Sequence, residues 1–108
     1  NNGKMKRDFT YIDDIVSGTR SAISKNYECE VFNLGNNKSE ELMDVVRLIE
    51  KNLDLNAKIE FCPMQPGDVK ESFAKIDKAI AMLEYKPKTN IDEGIRRLVE
   101  WYRDYIKD

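Results

Sequence analysis

The stretch KMKRDFTYIDDIV, residues 4–16, decides how the first quarter of the chain folds. A basic cluster leads into an aromatic, β-prone segment, which predicts a short strand over residues 6–10. The stretch then opens a run of apolar residues at helical spacing, and this run predicts a helix over residues 13–25. Either Asp13 or Asp14 is placed to cap the first turn of that helix. A strand that leads directly into an amphipathic helix indicates a fold with both α and β elements.

Outward from this stretch, extended and helical segments alternate. The segments CEVFNLG (29–35) and AKIEFCP (57–63) have the composition of strands, and a short extended piece is expected near 71–74. Between the first two, apolar residues at helical spacing predict a helix over about 40–53, for which Ser39 is a good N-cap.

Two further helices are predicted in the last third of the chain. The first carries Ile76, Ala79, Ile80 and Leu83, and Pro87 disfavours its continuation. The second begins near Ile91 and has apolar residues on one side, namely Ile95, Leu98, Val99, Tyr102 and Ile106. The sequence therefore predicts one domain over residues 1–108, of the α/β or α+β class, with about four helices and three or four short strands. The first two strands flank a helix, so the pattern also allows a βαβ unit.

Composition excludes several classes of function. The net charge of −2 offers no broad basic field for nucleic acid or an anionic membrane, and the apolar runs are too short to span a bilayer. We therefore expect a cytoplasmic protein. The chain has no histidine, and Cys29 and Cys62 lack metal-site spacing, so no metal site is predicted. The expectation for both thiols is burial in the core, with a disulfide as the alternative.

The residues needed for redox or acid–base chemistry are also missing. The five glycines are too far apart for a dinucleotide-binding loop, and no tyrosine is followed four residues later by lysine. The adjacent carboxylates, such as Asp92 and Glu93, lie at predicted helix starts, where the helix dipole favours negative charge. We therefore assign no catalytic residue.

Two stretches are candidates for ligand binding. Arg7, in the basic cluster, offers a planar fork of donors that suits phosphate oxygens. The alternatives are a solvated basic edge or a local ion pair between Arg7 and a carboxylate. The turn from Gln65 to Asp68 contains Pro-Gly and presents an acidic side chain and bare backbone to a ligand. Its alternative is a plain surface turn.

Five motifs together resemble one family. They occur in the order found in the C-terminal third of nucleotide-sugar epimerases of the extended short-chain dehydrogenase/reductase family, and they resemble UDP-glucuronate 4-epimerases most. The motifs are KMKRDFTYIDDIV (4–16), FNLGN (32–36), PMQPGDV (63–69), KPKTNIDEGI (86–95) and WYRDY (101–105). Each motif alone is weak, whereas five in order are specific, and the resemblance covers essentially the whole chain.

The resemblance implies an incomplete enzyme. In the family, an N-terminal Rossmann domain holds NAD, which takes a hydride from the sugar and returns it, and a Tyr-x-x-x-Lys pair transfers protons. We expect residues 1–108 to be the small C-terminal UDP-sugar-binding fragment, without the Rossmann domain, binding no NAD and inactive alone. We also expect residues 13–25 to pack on the Rossmann domain of the longer protein.

The resemblance also assigns roles to individual residues. Arg7 matches the arginine of an Arg-Asp-Phe/Tyr motif that contacts the UDP diphosphate, and Asp68 matches an aspartate that approaches the ribose. Gln65 stands where related epimerases have a second phosphate-binding arginine, so its contact should be weaker. Asp14 matches a structural aspartate at a helix start. Lys75 replaces a usual aspartate, which changes local contacts of the turn but not the fold.

Two other functions stay open at this point. The chain could belong to a dehydratase or decarboxylase of the same family, because the residues that decide the reaction lie outside it. It could also be a non-enzymatic interaction module, for which no effect of nucleotide is expected. Under the first interpretation we expect weak UDP-sugar binding and self-association, as a dimer, through the apolar stripe of residues 13–25.

Overall fold

The computed structural model describes residues 1–107, and within them the chain forms four helices and two short strands. The strands are β1 (Lys6–Arg7) and β2 (Glu40–Glu41), and the helices are α1 (Ile12–Lys25), α2 (Leu42–Leu53), α3 (Asp77–Leu83) and α4 (Ile91–Tyr105). The predicted mixed class and the four helices are confirmed, with each helix close to its expected place.

The strands are fewer than predicted. Residues 1–107 contain one two-stranded antiparallel sheet, in which Lys6 faces Glu41 and Arg7 faces Glu40, so the βαβ unit is not formed. Residues 29–35 and 57–63 are irregular instead of strands. Composition identifies segments that favour extended backbone, but a strand also needs a neighbouring backbone to bond with. The piece near 71–74 is reduced to a single parallel bridge between Lys6 and Glu71.

The core is built around the short helix α3. Ala79 and Leu83 lie on one face of this helix, and they are buried together with Ile76 just before it and Tyr85 just after it. Phe32 and Leu34 from the irregular segment, with Ala22 of α1, pack against this cluster. Burial of apolar side chains from three parts of the chain joins α1, α3 and the segment between α1 and β2.

The predicted helix caps are wrong at two positions. Tyr11 is the N-cap of α1 and makes no side-chain cap, while the Asp14 carboxylate accepts N–H bonds from Lys88 (3.1 Å) and Thr89 (3.0 Å). Asp14 therefore fastens α1 to the loop before α4, which agrees with a structural place for this residue. Glu41, not Ser39, is the N-cap of α2, because residues 40–41 pair with β1 before the helix begins.

The expected burial of the two thiols is also wrong. Cys29 and Cys62 are both exposed and both free, so the disulfide alternative is not formed either. Both lie in irregular segments outside the core cluster. Cysteine as a residue type favours burial, but its own segment decides whether the core is reached.

Two helices present apolar side chains to solvent. On α1 these are Ile12, Val16 and Ile23, whereas Gly18 and Ala22 face the rest of the chain. On α4 the exposed side chains include Leu98, Trp101 and Tyr105. No helix in the described part of the chain is long and apolar enough to cross a membrane.

Candidate functional site

The two halves of the candidate site are brought together by parallel backbone pairing. The Lys6 N–H donates to the Lys70 carbonyl (2.8 Å), and the Ser72 N–H donates to the Lys6 carbonyl (3.2 Å). The chain near β1 therefore runs beside residues 70–72. This pairing places Arg7 next to Asp68, although 61 positions separate them in the sequence.

Arg7 and Asp68 form a direct ion pair. Arg7 Nη2 lies 2.7 Å from Asp68 Oδ1, and Arg7 Nη1 donates to the Lys6 carbonyl at 2.8 Å. These bonds use two of the five N–H groups of the guanidinium, and the side chains keep 28% and 42% of their surface exposed. The sequence left open a local ion pair between Arg7 and a carboxylate. An ion pair is formed, but its carboxylate is 61 positions away in the sequence. The arginine retains donors for a further anion.

The turn that carries Asp68 has the predicted form. The Asp68 N–H donates to the Gln65 carbonyl (3.2 Å). Gly67 adopts a φ of +85°, a backbone angle that residues other than glycine rarely adopt. Asp68 Oδ1 also accepts the Val69 N–H at 2.9 Å, which orients the carboxylate toward Arg7. Gln65 is exposed in the same turn. All three predicted site residues therefore lie on one exposed edge of the molecule.

Asp8 is a functional candidate that sequence reasoning missed. Its carboxylate accepts three backbone N–H bonds, from Asn36 (2.9 Å), Asn37 (3.0 Å) and Ala74 (2.9 Å). It thereby ties β1 to the segment after α1 and to the one that carries Asp68. The only signal for it in the sequence is its position beside Arg7, because its partners are 28 to 66 residues away.

Tyr85 lies behind this junction. Its hydroxyl group donates to the Gly35 carbonyl at 2.8 Å, next to the backbone that Asp8 holds. Burial, with smaller contributions from the negative charges of Asp14 and Asp8, raises the pKa of Tyr85 above its usual value. The ring therefore stays neutral over the ordinary pH range and serves as a donor to the turn.

Lys75, one of the two positions that depart from the family pattern, makes only local contacts. The Lys75 ammonium lies 3.8 Å from Asp77 Oδ2, and the Lys75 carbonyl accepts from the Asn33 side chain at 3.3 Å. Neither contact reaches Arg7 or Asp68, so the substitution leaves the ion pair of the site intact.

Arg7, Gln65 and Asp68 do not line the clearest cavities of the described residues. One of about 270 Å³ is bounded by residues 9–12 and by the start of α4, and no charged side chain lines it. Within residues 1–107 no group of three or more acidic or cysteine side chains could hold a metal ion. The candidate site is an open edge that carries one cation and one anion.

The residues present do not fit a dinucleotide. The paired strands of the described region are antiparallel and two residues long, and neither leads into a helix through a glycine-rich turn. Gly35 is also unsuited to ligand approach, because Ala74 and the Asp8 carboxylate fill the space beside it. We therefore assign no step of hydride transfer to this chain.

The chain matches one protein-family model over nearly its whole length. The model describes GDP-mannose 4,6 dehydratase, and the match runs over residues 1–98. The matched region includes Arg7, Gln65 and Asp68, so the candidate site lies inside it.

Two curated proteins illustrate the sequence similarity. An uncharacterised protein of Methanocaldococcus jannaschii is 49% identical over 102 residues, which cover 94% of this chain and 31% of that protein. UDP-glucuronate 4-epimerase of Thermodesulfobacterium geofontis is 36% identical over 106 residues, which cover 97% of this chain and 32% of the enzyme. The chain thus spans about a third of the length of the curated relatives it matches.

A solved structure shares the fold. UDP-glucuronic acid 4-epimerase from Bacillus cereus, in complex with UDP-glucuronic acid and NAD, superposes with a TM-score of 0.83 at 34% identity. The match covers 99% of this chain and 33% of that enzyme. The expected resemblance to nucleotide-sugar epimerases and dehydratases is therefore confirmed at the level of fold and family.

Proposed function

Because the chain belongs to the GDP-mannose 4,6 dehydratase family, we propose that it forms the UDP-sugar-binding part of an NAD-dependent nucleotide-sugar 4-epimerase. The relatives named UDP-glucuronate 4-epimerase support UDP-glucuronate as the sugar nucleotide. The observation that carries the proposal is the approach of Arg7 and Asp68 to 2.7 Å on an exposed edge.

The proposed contacts follow from the chemistry of the three side chains. The free N–H groups of Arg7 suit the diphosphate, because a guanidinium binds phosphate oxygens in a charge-assisted way. The Asp68 carboxylate accepts a hydrogen bond from a ribose hydroxyl group. The neutral side-chain amide of Gln65 donates a hydrogen bond to the same phosphates, and this bond is weaker than one from a cation. Arg7 thus supplies most of the attraction for the nucleotide.

In this proposal NAD and the proton-transfer residues belong to sequence outside residues 1–108. Two observations support that division, namely the share of the relatives that the chain covers and the poor fit of its own residues to a dinucleotide. When bound, NAD supplies the hydride acceptor. The chain's own residues bind and orient the nucleotide, and the chain alone is inactive.

Binding of UDP by the chain alone should be weak. A charge-assisted hydrogen bond contributes about 1.5–3 kcal/mol. Loss of translational and rotational freedom costs on the order of 4–15 kcal/mol. Two or three such contacts barely offset this cost, so we expect a dissociation constant of about millimolar or weaker.

NMR titration with UDP tests the proposal. In the wild-type chain, small shifts should appear at the amides near Arg7 and Gly67. Arg7→Ala should abolish them and Gln65→Ala should reduce them, whereas Arg20→Ala, which removes an exposed arginine of α1, should change nothing. Uridine, which lacks the diphosphate that Arg7 is proposed to bind, is the matched ligand control and should give no shifts at the amides near Arg7. Shifts confined to α3 and α4, or an unchanged response in Arg7→Ala, would contradict the site.

The family model itself favours a second candidate, a dehydratase, because that is the reaction in its description. The test is the mass of the sugar product formed by the longer protein. Epimerisation leaves the mass unchanged, dehydration removes one water, and decarboxylation removes carbon dioxide. A product of unchanged mass with inverted configuration at carbon four supports the epimerase.

A further inference from the structure

We propose that Asp8 is a positioning residue that holds the segment carrying Asp68 in register with Arg7. The effect of Asp8 on UDP binding rests on the proposed function. The effect of Asp8 on the Arg7–Asp68 contact does not. Asp8 touches no ligand in this proposal and acts only through its neighbours.

The first argument is the number and origin of the bonds that Asp8 accepts. Oδ1 accepts the Asn36 N–H, and Oδ2 accepts those of Asn37 and Ala74, all within 3.0 Å. Bonds to an ionised acceptor are about twice as strong as bonds between neutral groups. A single carboxylate thus satisfies three backbone donors from two separate segments, which no other side chain of residues 1–107 does in this structure.

The second argument is the tight packing around the carboxylate. A Cβ atom added at Gly35 would lie 2.5 Å from Ala74 Cβ and 2.9 Å from Asp8 Oδ2. The turn that contains Gly35 therefore approaches Asp8 and Ala74 more closely than a side chain allows. Gly35 allows Asp8, residues 36–37 and Ala74 to meet at one junction, and the Asp8 carboxylate bonds the other two together.

The third argument is that the bond at Ala74 helps to fix the alignment of the segment that also carries Asp68. Beside β1, the parallel pairing consists of one bridge and two backbone bonds, at Lys70 and Ser72. The bond from Ala74 to Asp8 extends this short alignment at its far end. A slip of one residue would move the segment by about 3.3 Å, which is enough to separate a 2.7 Å ion pair.

The test replaces Asp8 by a side chain of the same shape. In Asp8→Asn, one oxygen becomes an amide nitrogen that cannot accept a hydrogen bond, so at least one backbone donor loses its partner. We expect at least tenfold faster amide exchange at one or more of Asn36, Asn37 and Ala74. We also expect loss of the nuclear Overhauser contacts between Arg7 side-chain protons and the Asp68 β-protons, and at least threefold weaker UDP binding.

A second variant reaches the same junction with Asp8 intact. Gly35→Ala forces Asp8 and Ala74 apart and should weaken the same Arg7–Asp68 contacts. Val45→Ala is the control, because it removes buried volume from α2 without touching the junction. It should lower stability and leave the Arg7–Asp68 contacts unchanged.

The outcomes separate the two proposals. Unchanged Arg7–Asp68 contacts in Asp8→Asn and Gly35→Ala would overturn the positioning role, and so would loss of the whole fold in both, because the proposed effect is local. The contacts are measured without ligand. A wild-type chain that fails to bind UDP therefore contradicts the proposed function alone.

Discussion

At the scale of single residues, Tyr85 gives the clearest energetic prediction. Its hydroxyl group is the partner of the Gly35 carbonyl in a buried position. Tyr85→Phe keeps the ring and removes the donor, which leaves a buried acceptor unsatisfied at a cost of about 1–3 kcal/mol. The midpoint of urea unfolding should fall accordingly, with an unchanged slope.

Tyr27 provides a matched control for Tyr85. Its hydroxyl group donates to the Met82 carbonyl at 2.9 Å, but the side chain is exposed, so water can replace the bond in Tyr27→Phe. We expect this variant to lose clearly less stability than Tyr85→Phe. Equal losses in the two variants would show that burial does not control the cost.

The site residues differ in how far the sequence could reveal them. Arg7, Gln65 and Asp68 were selected from motifs, and the structure brings all three to one edge. Their roles toward UDP stay predictions. Asp8 was missed because an aspartate next to a basic cluster is unremarkable until its three distant N–H partners are known.

At the scale of elements, the start of α4 predicts an acid-sensitive step. Asn90 caps this helix by accepting the Glu93 N–H at 2.9 Å. Hydrogen bonds from Arg96, and then from Arg97, lower the pKa of Glu93 from an ordinary 4.5 to about 2. A carboxylate with a lowered pKa contributes stability above about pH 4.5 that is lost as the pH falls toward 2.

Unfolding at several pH values measures this step. We expect the free energy of unfolding to decline between pH 4.5 and 2 in the wild type and to decline less in Glu93→Gln. The change should be small because the cluster is exposed to solvent and screened by salt. Glu60→Gln is the control, since Glu60 is exposed and far from these arginines in sequence. Equal pH profiles of wild type and Glu93→Gln would contradict the assignment.

At the scale of the whole molecule, the exposed side of α1 predicts association. Ile12 and Ile23 are 65% and 74% exposed, and Val16 is 47% exposed on the same side of the helix. The apolar stripe expected from the sequence is thus divided, because Ala22 faces the core while these three side chains face solvent. Exposed apolar stripes mark association surfaces. We expect a dimer through pairing of α1 with its copy or exchange of residues 1–25.

Sedimentation equilibrium tests the dimer. The double variant Val16→Lys with Ile23→Glu should remain monomeric at concentrations where the wild type is dimeric. Trp101→Lys with Tyr105→Glu is the matched control on the exposed side of α4, and it should leave the dimer intact. A wild-type chain that stays monomeric at high concentration would rule out association through α1.

The sequence by itself determined the helices, the mixed class and the family. The backbone hydrogen bonds of a helix join residues four apart, so the apolar periodicity of a helix can be recognised in a short stretch of sequence. Accordingly, α1 and α4 begin within one residue of their predicted starts. Motif order reveals the family for a similar reason, since each motif is local.

Only the tertiary structure decided which distant groups meet. Asp14 bonds to a loop 74 and 75 residues away instead of capping its own helix, and Arg7 meets Asp68 across 61 positions. The irregular segments at 29–35 and 57–63 have strand-like composition but no ladder partner within residues 1–107. A backbone or side-chain group bonds with whichever partner the packed core leaves within reach, and no local pattern encodes that partner.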